Sequence, residues 1–453
     1  MKKVGGSARD NLAPDTNRWR DLARRDFLQQ AATIGAGAAL FSLPLVAAQG
    51  SQPALQKVLD DAVATGKVPF VVGMTGKASG VTFAGAAGDA APGIKAAPDT
   101  VMRIFSMTKG VGSTAAMILI EQGKMDFDTP VQDVLPEFAE VRVLEGWDGD
   151  QPKLRAPKVK ATARHLATHT SGLEYEFWRA EVAEYLAKTK RPSIVAGTKA
   201  AMFYPMMTDP GTRWGYGPSI DWLGLMAEKI IGQRIDAFLK QNLFEPLGMK
   251  DTDVEVRPHM QGRLAAVKAR GNDGKFGDSD LAPPSNPEVY GMGHALYSTP
   301  QDYMRFLRMF LNKGALDGNR VLKESSVARM LENHMGPLKF EKMVTVAPPI
   351  TADFDPFPGT TKTHSFGFMR NEADIPGRRR AGSQSWAGVL NTHYWFDPTA
   401  DIAASSRPRP FPLWSHRSWR LTRPLKKPHT ATPKTPQVLT GGYECLKPPD
   451  PQF

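Results

Sequence analysis

Met102-Arg103-Ile104-Phe105-Ser106-Met107-Thr108-Lys109-Gly110 is the stretch that decides how this 453-residue chain reads. Met102 to Phe105 looks extended. Gly110 to Gln122 is apolar at helical spacing and ends near Gly123. At the junction stands Ser106-Met107-Thr108-Lys109, which is the chain's single Ser-x-x-Lys. Three residues make nearly one helical turn, so Ser106 and Lys109 share a face. A helix N-terminus favours negative charge developing on Ser106. A partly desolvated lysine sheds or shares its proton more readily and so activates a neighbouring hydroxyl. Alone, the same four residues equally suit a capping serine followed by a solvated lysine.

Two later segments change the balance. Pro210-Gly211-Thr212-Arg213-Trp214-Gly215-Tyr216-Gly217-Pro218-Ser219 is rich in turn residues and leads into a helix at Ile220. A tyrosine on a stiff loop beside a lysine is a candidate general base, and in isolation also an ordinary turn tyrosine. Arg380-Ala381-Gly382-Ser383-Gln384-Ser385-Trp386-Ala387-Gly388-Val389 combines small residues with strand formers. Such an edge lets a ligand come close to the backbone, whose N–H groups, with that of Ser106, suit an oxyanion hole. Its bland reading is a glycine-containing bulge.

Ser-x-x-Lys, then a loop tyrosine, then a glycine-containing strand resembles the penicillin-recognising serine hydrolases. The closer resemblance is to class C β-lactamase-like serine hydrolases, and among them the family VIII carboxylesterases. His169-Thr170-Ser171-Gly172-Leu173, Pro246-Leu247-Gly248-Met249, Leu296-Tyr297-Ser298-Thr299 and Trp395-Phe396-Asp397-Pro398 fit as well, so the likeness covers about residues 52 to 404. It implies Ser106 as nucleophile, Lys109 and Tyr216 as proton relay, and the N–H groups of Ser106 and Val389 as oxyanion hole. Trp386-Ala387-Gly388 would stand where true β-lactamases carry Lys-Thr-Gly, in the substrate pocket. The implied reaction is acyl transfer through an acyl-Ser106 intermediate, on a small ester or amide, without a cofactor.

Three departures from the family pattern bear on the substrate. Pro218 replaces the asparagine two residues after the tyrosine. Trp386 replaces the triplet lysine, which normally helps to hold an anionic group, so a neutral ester fits better than a β-lactam. Met292 and Ala295 stand where glycines are expected, which points to a crowded pocket. A β-lactamase or D-amino-acid peptidase on the same scaffold is the alternative, with Arg378 to Arg380 as candidate carboxylate holders. An inactive binding protein or damaged gene product is another.

Outward from the motifs, Leu55 to Ala64, Thr162–Thr168 and Ile220–Ile231 read as helices. Tyr303–Leu311 is a further helix, opened by Ser298-Thr299-Pro300 as cap and first turn. Val68–Met74, Gly80–Ala87 and Val389–Phe396 read as strands. Strands at both ends with helices between predict an α/β (α+β) fold. The resemblance specifies it as β-lactamase/penicillin-binding-protein-like, a central antiparallel sheet flanked by helices with an inserted mainly helical lobe. Segments 141–160, 255–290 and 338–365 read as long loops of the kind that frame a site.

Composition sets the outer bounds. Hydrophobic residues at 41% and charged residues at 23% exclude collagen, coiled coil and wholesale disorder. The net charge of +11 invites nucleic acid, but residues 1–48 carry +3 and residues 405–453 carry +7, leaving the body near neutral. A nucleic-acid partner is therefore not expected. Cys445 is the sole cysteine, which excludes a disulfide framework and a Cys-based metal or nucleophile in the body. His165 and His169 are four apart but lack the glutamate of His-Glu-x-x-His and an evident third ligand, so no metal is expected. Met202, Met206 and Met207 read as pocket lining, and Asp126 and Asp128 as solvated turn residues.

The ends differ from the body. Arg24-Arg25-Asp26-Phe27-Leu28 followed by the apolar run Ala31–Ala47 and Val46-Ala47-Ala48 reads as a twin-arginine export signal over 1–48. It implies the twin-arginine export machinery as partner, cleavage near Ala48 and a periplasmic or secreted mature protein over 49–404. The run is too short, and too interrupted by Pro44, for a stable membrane span. Residues 405–453 hold ten prolines and no helical or alternating period. That tail reads either as a disordered basic extension or as the product of a shifted reading frame. The strand begun at Asp401-Ile402-Ala403-Ala404 is expected to fail at Pro408 and Pro410, with low stability as the result.

Overall fold

Strands from the two ends of the body meet in the middle of one sheet. The computed structural model describes residues 53–270, 275–348 and 350–407; the export-signal segment 1–48 and the tail from Pro408 onward lie outside the described residues. The N-terminal part supplies β1 (Phe70–Lys77), β2 (Gly80–Ala91) and β3 (Ile94–Lys95). The C-terminal part supplies β4 (Lys362–His364), β5 (Met369–Asn371), β6 (Gln384–Gly388), β7 (Thr392–Asp397) and β8 (Ile402–Arg407). The order is β4-β5-β6-β7-β8-β1-β2-β3, and every neighbouring pair is antiparallel.

β8 is central, and it is longer than the sequence suggests. It pairs with β1 from Gly76↔Ala403 to Val72↔Arg407, and with β7 from Asp397↔Ile402 to His393↔Ser406. Ser405, Ser406 and Arg407 still carry backbone donors, so the ladder continues to the residue before Pro408. The sheet thus extends three residues into the segment read as tail, and no strand is broken among the described residues.

Helices cover both faces. A Cβ added at Gly73 would lie 3.3 Å from Leu59 of α1 (Pro53–Ala64), whereas one at Gly76 would lie 2.8 Å from Met304 of the helix Pro300–Leu311. That second helix opens as its sequence predicts, with Thr299 accepting from the Asp302 N–H and Pro300 in the first turn. Its apolar face carries Phe310, whose ring lies 5.1 Å from Phe396 and 5.3 Å from Phe368.

The segment between β3 and β4 holds α2 (Thr108–Glu121), α3 (Ala163–Ala167), α4 (Ser219–Ile231) and α5 (Pro300–Leu311). Every residue of α2 from Thr108 to Ile120 is buried, so it is a central helix rather than an amphipathic surface one. Its glycines mark close approaches. A Cβ at Gly110 would sit 2.6 Å from Phe368, and one at Gly112 2.7 Å from Met292. Met292 also lies against Gly224 of α4, where an added Cβ would come within 2.6 Å. Met292, fully buried, is therefore a wedge between α2 and α4.

Two further expectations are corrected. Val389–Phe396 is not one strand: Val389, Leu390 and Asn391 form the turn between β6 and β7. The Asn391 N–H bonds to the Gly388 carbonyl, and Asn391 takes φ +62°. Asn tolerates that left-handed backbone and closes a three-residue hairpin. The loops 141–160 and 255–290 contain hairpins, Val143–Asp148 with Gln151–Arg155 and Val267–Arg270 with Phe276–Ser279.

Candidate active site

Ser106 lies in a 3₁₀ turn, Phe105–Met107, that runs directly into α2. Phe105 has φ +40°, a costly conformation for a bulky residue. It is held by packing against Val267, Leu390 and Val389, so the β6–β7 turn clamps the residue before the nucleophile. β6 docks equally closely: a Cβ at Gly388 would fall 2.3 Å from the Ile104 carbonyl oxygen, which also accepts from Thr392 Oγ1. Only glycine fits there.

Lys109 follows one turn after Ser106 and is 1% exposed. Its ammonium donates to Ser106 Oγ (3.2 Å), Tyr175 OH (3.1 Å) and the Gly293 carbonyl (2.9 Å), which uses all three of its protons. Tyr216 donates to Ser106 Oγ at 2.7 Å, and the Trp386 indole donates to the Tyr216 oxygen at 3.2 Å. Two of the sequence motifs therefore converge on the Ser106 oxygen, and the third joins them through the Tyr216 oxygen.

Backbone pairing explains how Tyr216 arrives there. The segment 169–175 runs beside 211–217, with N–H to carbonyl bonds from Gly211 to Thr170, from Gly215 to His169 and from Tyr175 to Tyr216. A Cβ at Gly215 would collide with Glu174, and one at Gly217 with the Leu173 carbonyl, so glycine is required on both sides of Tyr216. The His-Thr-Ser-Gly-Leu stretch thus serves as the partner strand of the tyrosine loop. Tyr175, missed from sequence, comes with it; its position two residues beyond Leu173 was the available signal.

An aromatic box surrounds the relay. His169 lies 4.9 Å from Tyr216, and His364 lies 5.5 Å from His169 and 5.3 Å from Trp386, with Trp214, Phe340 and Phe354 behind. Burial pushes the His364 imidazole down to about 3, and burial with the nearby His364 and Lys109 holds His169 well below the usual range. Both are neutral at ordinary pH. Burial raises the Tyr175 phenol well above its ordinary value, so it stays protonated beside Lys109.

The remaining sequence candidates fall elsewhere. His165 closes a capping box on Thr162, accepting from its N–H at 3.2 Å, and so has a structural role. No group of three metal-ligating side chains occurs among the described residues. Met206 is core, and Met202 lines a groove of about 420 Å³ that shares no residue with the Ser106 cluster. Asp128 is exposed and pairs with Arg164 at 2.7 Å. Arg379 stacks 4.9 Å from both Phe357 and Trp395. Trp395 pairs with Ser385 and Ala404, on the sheet face opposite Trp386, which pairs with Tyr394. Arg379 is therefore not a replacement for the missing triplet lysine.

A serine hydrogen-bonded by a buried lysine and a tyrosine, on an antiparallel sheet with an inserted helical lobe, defines a serine hydrolase of the class C β-lactamase-like kind. Residues 55–405 match the Beta-lactamase family, and the chain belongs to it. It is 32% identical over 318 residues to the monacolin J acid methylbutanoyltransferase of Aspergillus terreus (strain NIH 2624 / FGSC A1156), covering 67% of this chain and 75% of that protein. The lovastatin esterase of Penicillium rubens is 28% identical over 66% of this chain and 77% of its own length. Among solved structures, the unliganded, selenomethionyl simvastatin synthase of Aspergillus terreus superposes with TM-score 0.68 at 26% identity, over 82% of this chain and 94% of that one. EstCE1, a hydrolase with promiscuous acyltransferase activity, shares the fold with TM-score 0.61 at 19% identity, over 86% and 94% of the two chains.

Proposed function

We propose that the chain is an exported serine esterase that forms an acyl-enzyme on Ser106 and passes the acyl group to water or an alcohol. The observation that carries this is the convergence of Lys109 Nζ at 3.2 Å and Tyr216 OH at 2.7 Å on Ser106 Oγ. In the first half-reaction the Tyr216 oxygen, acting as a phenolate beside the Lys109 ammonium, takes the proton of Ser106 Oγ as that oxygen attacks the ester carbonyl carbon. The pair returns that proton to the leaving alkoxide, and the acceptor repeats the sequence in reverse. The N–H groups of Ser106 and Val389 receive the carbonyl oxygen as it becomes negative. The tightly docked Gly388 and the Val389–Phe105 packing support that assignment. Trp386, Ala387 and Gly388 form the adjoining wall of the pocket. Export through the twin-arginine machinery rests on Arg24-Arg25 and the apolar run after them.

A neutral ester suits this site better than a β-lactam or a D-amino-acid peptide. Trp386 occupies the lysine position of the triplet, and Arg379 faces the other side of the sheet. The named relatives include both an acyltransferase and an esterase, so water and an alcohol are both tested as acceptors. A fluorophosphonate probe followed by mass spectrometry should label Ser106, and Ser106→Ala should take no label. Burst hydrolysis of p-nitrophenyl butyrate, with faster turnover on adding a small alcohol, is the expected kinetic signature. A folded protein that neither labels nor shows a burst would favour the inactive or damaged-gene reading.

A further inference from the structure

The first turn of α4 contains a carboxylate that the relay does not touch. Asp221 is 1% exposed, on the buried N-terminal half of the helix. The loop Gly291-Met292-Gly293-His294 is built around it. The Gly293 N–H donates to Asp221 Oδ1 at 2.9 Å, and His294 Nδ1 stands 3.3 Å from the same oxygen. A Cβ at Gly291 would fall 2.4 Å from Oδ1, and one at Gly293 2.4 Å from Oδ2, so only glycine lets this loop close on the carboxylate. The carbonyl of that same Gly293 accepts from Lys109 Nζ. One residue thus joins a buried anion through its N–H to a buried cation through its carbonyl. Met292 fixes the loop to both helices concerned, wedged between Gly112 of α2 and Gly224 of α4.

We infer that Asp221 is a positioning residue and buried counter-ion for Lys109, aiming the Gly293 carbonyl at Nζ through the Gly293 N–H. Burial pushes the Asp221 carboxyl up, but His294, the Lys109 charge and the Gly293 N–H outweigh it, and the net direction is down. Asp221 is therefore the ionised partner an ammonium needs in a dry site. Around Lys109 the other titratable groups are Tyr175, Tyr216 and His169; around Asp221 they are His294 and Tyr175. His169 is neutral and Tyr175 protonated, which leaves Asp221 as the negative charge in this set.

The kinetic arm rests on the acyl-enzyme reading above; a stability arm does not. Asp221→Asn keeps an oxygen for the Gly293 N–H and removes the charge. It should move the alkaline limb of the kcat/KM profile for p-nitrophenyl butyrate down by roughly one pH unit, because the negative charge at the far end of the Gly293 bridge is gone. A limb unmoved in a folded Asp221→Asn protein would overturn the inference. Lys109→Met reads the same coupling without activity. Without the ammonium the folded Asp221 carboxyl rises, so stability is lost at higher pH on acidification. The acid-unfolding midpoint of Lys109→Met should rise by a few tenths of a pH unit or more relative to Ser106→Ala, and coincident midpoints would also overturn it. Failure of Ser106 labelling with a shifted acid midpoint would instead fault the esterase reading and leave the Asp221–Lys109 coupling standing.

Discussion

Trp386→Phe isolates the contribution of one N–H to the relay. The indole donates to the Tyr216 oxygen at 3.2 Å, and that oxygen is itself bonded to Ser106 Oγ at 2.7 Å. While the Ser106 proton is in transit, the donor stabilises negative charge on the phenol. A hydrogen bond to a charged group contributes about 1.5–3 kcal/mol, so its removal should lower kcat/KM roughly 10- to 150-fold. Phenylalanine keeps an aromatic ring against His364 and Phe354. The structural cost should stay near ~1–2 kcal/mol, which lowers the melting temperature by a few degrees. The assay is kcat/KM for p-nitrophenyl acetate and butyrate, alongside the rate of fluorophosphonate labelling. If Trp386 acts through Tyr216, both esters and the probe slow by the same factor. A change below twofold, or a loss seen with butyrate alone, would refute the role of the N–H and leave Trp386 as a pocket wall only.

Other consequences are testable by stability. Met292→Gly opens a void between Gly112 and Gly224 and should cost about 2–4 kcal/mol in urea unfolding. His364, held near 3 by burial, binds its proton only in the unfolded chain over most of the range below 6.5. Stability should therefore be full above about 6.5 and fall toward pH 3, by up to ~1.4 kcal/mol per pH unit, and His364→Phe should flatten that decline. Asp302 has the opposite sign. Burial raises it to about 6 despite the Asp251 N–H and Thr252 hydroxyl that donate to it. The folded state then holds the proton more tightly, so this term stabilises below about pH 4 and is lost as pH rises through 6. Asp302→Asn should compare more favourably with the parent at pH 7 than at pH 4.

What the sequence disclosed follows from how local each feature is. Ser106 and Lys109 are one helical turn apart, and Tyr216 announces itself by the glycines on either side, so the members of the cluster were legible. The Thr299-Pro300 helix start was legible for the same reason. Lys109's other partners were not. Tyr175 is 66 residues away and Gly293 184, and the latter contributes a carbonyl, which no side-chain pattern records. The packing of Met292 was not legible because its fit depends on Gly112 and Gly224, glycines on two helices that look only like weak helix formers until all three meet. Val389 misled through its β-branched side chain, since the turn is dictated by Asn391 two residues later.

The proposed preference for a neutral substrate rests on more than the replaced triplet lysine. A carboxylate-bearing substrate needs a donor not already engaged. Lys109 has none to give, its three protons being taken by Ser106, Tyr175 and Gly293. The Trp386 indole has one N–H, and Tyr216 holds it. His169 and His364 are neutral, and their surroundings of Trp214, Phe340, Phe354 and Trp386 are apolar. Bringing a carboxylate into that box would strip its water without a compensating charge, a penalty of several kcal/mol. An ester pays no such penalty, because its developing charge appears at the carbonyl oxygen, beside backbone N–H groups at the start of α2. Trp386→Lys should therefore weaken turnover of neutral esters, by removing the donor to Tyr216. It should also raise the relative acceptance of esters carrying a carboxylate on the acyl chain. Unchanged selectivity between p-nitrophenyl butyrate and a hemi-succinate ester in that variant would show that position 386 does not set the charge preference.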